Sequence, residues 1–244
     1  MISVVVPTYN EANYLSATLD SVAASEAQKE VIVVDAGSVD GTRELARQKA
    51  SCLLLSSRRQ RAHQMNLGAQ HARGSILLFL HADTVLPALA LDQIESSLSR
   101  DQIIGGGFAR RYDSNSWFLR ITCLLAGLRT RWAGWFLGDQ AIFVRRKMFK
   151  QLGGFHDLDL LEDLDLSRRM VKAGRVVTLI GPVISSSRRF KARGEVLTTL
   201  SDVWLTFRYL LGANPNSLAK ERRAFSEEGS THRALRAKQR TLKS

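Results

Sequence analysis

The chain lacks several things that would tie it to common designs. It has two cysteines, Cys52 and Cys123, in 244 residues. They offer neither metal-ligand spacing nor a disulfide framework, so two reduced thiols are expected. No uninterrupted apolar run reaches the ~20 residues that cross a bilayer. The opening, Met1-Ile2-Ser3-Val4-Val5-Val6, has no basic region of a secretory signal and meets Pro7 almost at once. Together these absences predict a cytoplasmic location. There is no internal repeat and no low-complexity tract. Two nucleotide signatures are also missing. No Gly-x-Gly-x-x-Gly follows the first strand, and no Gly-x-x-x-x-Gly-Lys-Ser/Thr loop occurs anywhere. Acidic residues are scarce: Asp+Glu number 23 against 35 Lys+Arg, a formal net charge of +12. That excess suits polyanionic company, namely nucleic acid, anionic lipid or phosphorylated substrates, and solubility explains it as well.

What is present is an alternation of strand and helix patterns. Ile2–Val6, Val31–Val34, Cys52–Leu55 and Ile76–Leu80 read as buried strands. Helical spacing follows each, at Tyr14 to Val22, Thr42–Ala50, Ala62–Ala72 and Leu89–Leu98, the last after Pro87. Continuous apolar strands alternating with helices predict a parallel sheet covered on both faces. Beyond about residue 100 the pattern changes. Ile103–Tyr112, with Gly105-Gly106-Gly107, Gln140–Val144 and Val176–Ile180 read as strands of a mixed region. Trp117–Phe136 is an apolar and aromatic stretch broken by Arg120, Arg129 and Arg131; Leu161–Ala173 and Glu195–Leu211 read as helices, and the chain from Lys220 onward as a polar, basic, fraying tail.

In such sheets ligands bind beyond the carboxyl ends of the strands. Three polar clusters stand there: Pro7-Thr8-Tyr9-Asn10-Glu11, Asp35 through Thr42, and His81-Ala82-Asp83-Thr84. Any one alone is explained by turns and helix caps. Together, with carboxylates in each, they form a candidate site. A nucleoside diphosphate would explain the residue types. Asp35 can accept from a base N–H or a ribose hydroxyl, Thr8 can hold the base edge, and Asp83 is a hard ligand for Mg2+ or Mn2+ beside the phosphates.

These motifs resemble the family 2 glycosyltransferases. The resemblance rests on Pro7-Thr8-Tyr9-Asn10-Glu11, Val33-Val34-Asp35, Gly37-Ser38, Asp40-Gly41-Thr42, Arg61-Ala62, Gln64-Met65-Asn66, Gly68-Ala69, Leu80-His81-Ala82-Asp83-Thr84, Gly153-Gly154-Phe155, Glu162-Asp163 and Ser186-Ser187-Arg188-Arg189. It spans roughly residues 1–190. It implies the GT-A fold, a nucleotide-sugar donor and inversion at the anomeric carbon. The Arg-Ala-x-Gln-Met-Asn block and the late Ser-Ser-Arg-Arg are similar to a bacterial subgroup associated with radical-SAM and selenoprotein-type gene neighbourhoods.

By resemblance, Pro7, Thr8, Tyr9, Glu11, Asp35, Arg61, Asp83, Arg188 and Arg189 would bind the donor. Asp83 would hold the divalent cation, although His81 replaces the first acid of the family's metal motif. Asp163 would be the general base, with Asp139 and Glu162 on the acceptor side. Each has a plainer reading beside it: a turn for Asp35 and Asp139, first-turn helix charge for Glu162 and Asp163, a solvated basic face for Arg61 and its neighbours Arg58, Arg59 and Arg73, a surface pair for Arg188 and Arg189.

The aromatic stretch Trp117–Phe136 and the helix Val196–Leu211 fit a membrane interface, an acceptor pocket or a dimer surface. The expected layout is a GT-A domain over 1–190 (donor half 1–100, acceptor half 101–190), an amphipathic extension over 191–219 and a flexible tail over 220–244. The partners expected are a nucleotide sugar, an acceptor of lipid-like character and an anionic membrane surface that the protein would meet peripherally, with no specific nucleic acid. A sugar nucleotidyltransferase and a non-enzymatic basic protein are the rival readings.

Overall fold

The computed structural model describes residues 1–222. The expected fraying tail falls almost wholly on 223–244, outside the described residues.

The sheet begins with the run Ile2–Thr8, which forms β1 with every residue buried. β2 (Lys29–Asp35), β3 (Cys52–Leu55) and β4 (Ile76–Phe79) run parallel to it in the order β3-β2-β1-β4. The crossovers are α1 (Ala12–Ala23), α2 (Thr42–Lys49) and α3 (Arg61–His71). In α1, Leu15, Thr18, Leu19 and Val22 are buried at the spacing of one helix face. Strand alternation sorts β1 between two core layers. Val4 and Val6 pack with Leu15, Leu19 and Ile94, and Val5 with Met65, Ala69 and Met170. Register sets Thr8 level with Asp35 and Val5 level with Phe79, so the ends of β1, β2 and β4 open along one edge.

The second half makes the sheet mixed. β5 (Thr84–Val85), α4 (Ala90–Leu98), β6 (Ile103–Tyr112), α5 (Trp117–Ala133), β7 (Ile142–Arg145), α6 (Arg146–Gln151), α7 (Glu162–Ala173) and β8 (Arg175–Ser185) follow. They extend the sheet to β3-β2-β1-β4-β7-β6-β8-β5, with β7 antiparallel to both β4 and β6. The glycine run of β6 is explained by close approach. A Cβ on Gly106 would lie 2.0 Å from the Val177 carbonyl oxygen, and one on Gly105 2.4 Å from that of Phe143.

Several boundaries differ from the sequence expectation. The apolar stretch Trp117–Phe136 is helical only as far as Ala133, because Gly134 takes the left-handed conformation of a terminating glycine at φ 65°. The strand expected from Gln140 starts at Ile142, since Gly138–Gln140 form a 3-10 turn. β8 runs on to Ser185, held by pairing with β6 and β5. β5 and α6 are too short for periodicity to reveal.

The chain divides into two compact units, one of Met1–Asp157 with Glu162–Ser186, the other of Leu158–Leu161 with the chain from Ser187. The second holds α8 (Arg188–Arg193) and α9 (Glu195–Leu210), and a small core of Leu160, Leu205, Leu218 and Ala219.

Candidate active site

The donor-side edge is built around Asp35. Its carboxylate is wholly buried at the end of β2. Oδ1 accepts from the backbone N–H groups of Gly37 (3.0 Å) and Ser38 (2.9 Å) and from Arg43 Nε (2.8 Å). Oδ2 accepts from Thr8 Oγ1 (3.2 Å) and from the Ser38 hydroxyl. Burial works against its charge, but the Ser38 hydroxyl, Arg43 and the two N–H groups outweigh it and hold Asp35 below the usual carboxylate range. Two further ties join the loops after β1 and β2. Asn10 N–H donates to Ser38 Oγ at 2.8 Å, and Glu11 N–H to Thr42 Oγ1 at 2.8 Å. Gln64 on α3 donates from Nε2 to the carbonyls of Thr8 (2.9 Å) and Val34 (2.7 Å). Pro7 completes the buried end of β1, and the Arg59 guanidinium lies 3.5 Å over the ring of Tyr9.

A second group assembles from residues far apart in sequence. Arg61, opening α3, meets Glu162, opening α7, at Nε–Oε1 3.2 Å. Glu162 is only 2% exposed and its Oε1 has no hydrogen-bond partner, whereas Arg61 is 42% exposed and reaches the solvent side. Glu162 above all keeps Arg61 protonated, with Asp163, Asp139 and Asp83 adding to it against the cost of burial. Asp163 accepts from Gly138 N–H at 2.5 Å and from Leu164 N–H at 2.7 Å. Burial and the Glu162 charge push its carboxyl above the ordinary range despite Arg61 and those N–H groups. His81 is pulled down by burial and by Arg61, against the three aspartates Asp83, Asp139 and Asp163. Its imidazole is therefore neutral near pH 7. Gly138 separates His81 from Asp163: a Cβ there would lie 2.4 Å from His81 Nε2 and 3.1 Å from Asp163 Oδ2.

Asp139 is not simply a turn residue. Arg110 on β6 donates to its Oδ2 at 2.5 Å, and the Tyr112 hydroxyl lies 3.3 Å away. The Asp139 carbonyl accepts from Ser185 Oγ at 3.1 Å, and Ser185 Oγ is 3.0 Å from Thr84 Oγ1, next to Asp83. Arg129 on α5 donates to Gln140 Oε1 at 2.9 Å and to the Trp135 carbonyl at 3.1 Å. Ala141, which follows, sits at φ 48°. A left-handed alanine costs about 1 kcal/mol or more, which the Gln140 contacts offset.

The structure thus brings Arg61, Asp83, Asp139, Glu162 and Asp163 within electrostatic reach of one another, with His81 among them, and Pro7, Thr8, Tyr9, Glu11 and Asp35 at the same sheet edge. It does not gather Arg188 and Arg189 into this unit. Both open α8 in the second unit, where Arg189 pairs with Asp202 of α9. The basic neighbours Arg58 and Arg73 stay exposed to solvent and each has an acidic partner: Arg58 meets Asp157 at 2.9 Å and Arg73 meets Glu30 at 3.0 Å. Sequence reasoning gave no role to Arg43, Arg110, Tyr112 or Gly138. Only Gln64 carried a signal, one helical turn beyond Arg61.

Among the described residues no three His, Cys, Asp or Glu side chains converge as a metal cage. One carboxylate, Asp83, with a neutral imidazole at His81, suits a cation whose remaining ligands come from a diphosphate.

Comparison with known proteins bears on the family and the fold. Residues 3–153 match the model of glycosyl transferase family 2. The glycosyltransferase AglE of Haloferax volcanii is 31% identical over 46% of this chain and 44% of its own length. The undecaprenyl-phosphate 4-deoxy-4-formamido-L-arabinose transferase of Edwardsiella ictaluri is 28% identical over 59% of this chain and 48% of its own. The chain thus spans about half the length of these relatives. A PGL/p-HBAD biosynthesis glycosyltransferase of Mycobacterium bovis is matched more fully, at 29% identity over 83% of this chain and 81% of its length. The fold is that of the mannosyltransferase PcManGT from Pyrobaculum calidifontis, solved with GDP-Man and Mn2+, with TM-score 0.62, 24% identity and coverage of 76% of this chain and 56% of that one. The sheet is therefore the mixed sheet of the GT-A fold, and the chain belongs to glycosyl transferase family 2.

Proposed function

We propose that this protein is an inverting glycosyltransferase that moves a sugar from a UDP- or GDP-linked donor to a lipid-like acceptor. The observation that carries this reading is the meeting of Arg61, from the donor-side half, with Glu162 and Asp163, from the acceptor-side half, at the open edge of the sheet. In the reading, Pro7, Thr8, Tyr9, Glu11 and Asp35 hold the nucleoside, and Arg61 and Asp83 face the diphosphate. Asp139 and Glu162 line the acceptor side, and Glu162 Oε1, which is ion-paired with Arg61 but accepts no hydrogen bond, can take one from a sugar hydroxyl. Asp163, its carboxyl raised toward neutrality, removes the proton of the attacking acceptor.

A divalent cation, Mg2+ or Mn2+, held by Asp83 beside His81, would supply charge neutralisation to the diphosphate. The Mn2+ in the PcManGT complex supports it. The lipid-like acceptor draws support from the undecaprenyl-phosphate relative. Such an acceptor would place the protein peripherally on the cytoplasmic face of a membrane. No helix among the described residues is long and apolar enough to cross one. Residues 1–100 form the donor half, 101–190 the acceptor half and 191–219 an amphipathic extension. The likeness of the Arg-Ala-x-Gln-Met-Asn block and of the late Ser-Ser-Arg-Arg to the radical-SAM and selenoprotein-associated subgroup supports membership of it in this reading.

A panel of UDP- and GDP-sugars with Mn2+ tests the core of this. At least one should raise the unfolding temperature and be hydrolysed slowly. Indifference to every nucleoside diphosphate would end the transferase reading. Gly138→Ala gives a second test. Its methyl would force His81 and Asp163 apart. Turnover is expected to fall about a hundredfold, with an overpacking cost of only about 1–3 kcal/mol in a denaturant melt. Full activity in the alanine variant would show that the His81–Asp163 spacing is unimportant.

A further inference from the structure

α5 presents an apolar face that nothing among the described residues covers. Trp117, Ile121, Leu124, Leu125, Leu128 and Trp132 recur at helical spacing and are all exposed, Trp117 at 71%, Leu124 at 70% and Trp132 at 86%. The opposite face, Leu119, Ala126 and Thr130, is buried, and the helix packs on β6. The helix is therefore anchored on one side and bare on the other. A contiguous apolar stripe of this kind marks an interaction site.

We infer that this face docks on an anionic bilayer, with α5 lying in the plane of the headgroups. Three features favour that occupant. Tryptophan stands at both ends of the stripe, ~22 Å apart along the axis, and indole rings settle at the level of the headgroups. Arg120 and Arg131, both exposed, form a rim along one edge of the stripe, and the helix contains no acidic residue. That is the pattern of a helix lying in an anionic interface. The same rim opposes self-association, because an antiparallel two-fold pairing of the stripe would set arginine rim beside arginine rim. α9 also bares Val196, Trp204 and Phe207, but its charges have both signs, Glu195 and Asp202 with Arg208, so it lacks this complementarity. Docking through α5 has a consequence for the site. Arg129, on the same helix, touches Gln140 beside Asp139, so the acceptor side would lie close to the lipid surface.

The full chain is mixed with vesicles of phosphatidylcholine alone or with phosphatidylglycerol, without donor or acceptor, and bound protein is measured by flotation. This reads the surface independently of transfer. Binding is expected only with phosphatidylglycerol. Leu124→Ser and Trp132→Ser should each weaken it about tenfold, and Arg120→Gln and Arg131→Gln about fivefold each. All four positions are solvent-exposed, and a circular-dichroism melt confirms that each variant is folded. Three results would overturn the inference: binding unchanged in the α5 variants, loss of binding through Trp204→Ser instead, or a dimer that ignores vesicles and separates on Leu124→Ser.

Discussion

Asp163→Asn is expected to lower sugar transfer by about two to four orders of magnitude, the range a positioned general base contributes, while donor affinity stays nearly intact. The amide keeps the shape, and its single oxygen can still accept from one of the two N–H groups, Gly138 on Oδ2 or Leu164 on Oδ1, that now hold the carboxylate. It cannot take a proton. Calorimetric titration with donor separates this from collapse of the site: an equal loss of donor binding would mean that Asp163 serves the donor. The same residue sets a pH dependence. Burial and Glu162 raise its carboxyl above the usual range, so the protonated, inactive form persists to higher pH than an ordinary aspartate allows. Turnover should therefore rise with pH through a value above about 4, the ordinary carboxylate pKa. An acid limb at or below that value would exclude Asp163 as the base.

Asp35→Ala should cost about 3 kcal/mol of stability or more, as loss of one member of a buried pair does. It strips an acceptor from the N–H groups of Gly37 and Ser38, the hydroxyls of Thr8 and Ser38, and Arg43. The figure stays at the low end because Arg43 is 34% exposed and water can reach it. Chemical denaturation at neutral pH measures it. The sign with pH follows from the lowered carboxyl. Its contribution is full above the unfolded value and is lost as pH falls through the folded one, so wild type and variant should converge in acid. A variant as stable as wild type would leave the many hydrogen bonds to Asp35 without energetic meaning. Its donor role is separate: loss of nucleotide affinity under conditions where the variant is still folded would support it.

Much of the donor edge was legible in the sequence. The runs at Ile2, Val31 and Ile76 end in polar clusters, and a parallel sheet carries its ligands at such ends. The β-branched composition and the helical spacing after each strand were enough to put Thr8 and Asp35 at one edge, and the structure supplied the register that sets them level. The acceptor side was less legible. β5, α6 and α8 are too short for a period to register. Arg61 and Glu162 are brought together by tertiary packing across a long stretch of chain, and no local pattern encodes such a pair.

The sequence by itself determined the alternating layers, the carboxylates at the strand ends, the glycine run where strands approach closely, and the family. Only the tertiary structure decided which of those groups meet. It gave Asp35 to Arg43, set Gly138 between His81 and Asp163, and buried Glu162 against Arg61. It also decided which face of α5 turns inward. Apolar residues occur on both sides of that helix, so composition alone could not choose, and packing on β6 left the tryptophan face bare. The physical reason is the range of the forces. Backbone geometry and hydrophobic period act over a few residues and can be read from them, whereas ion pairing, desolvation and burial depend on what the fold carries in from elsewhere.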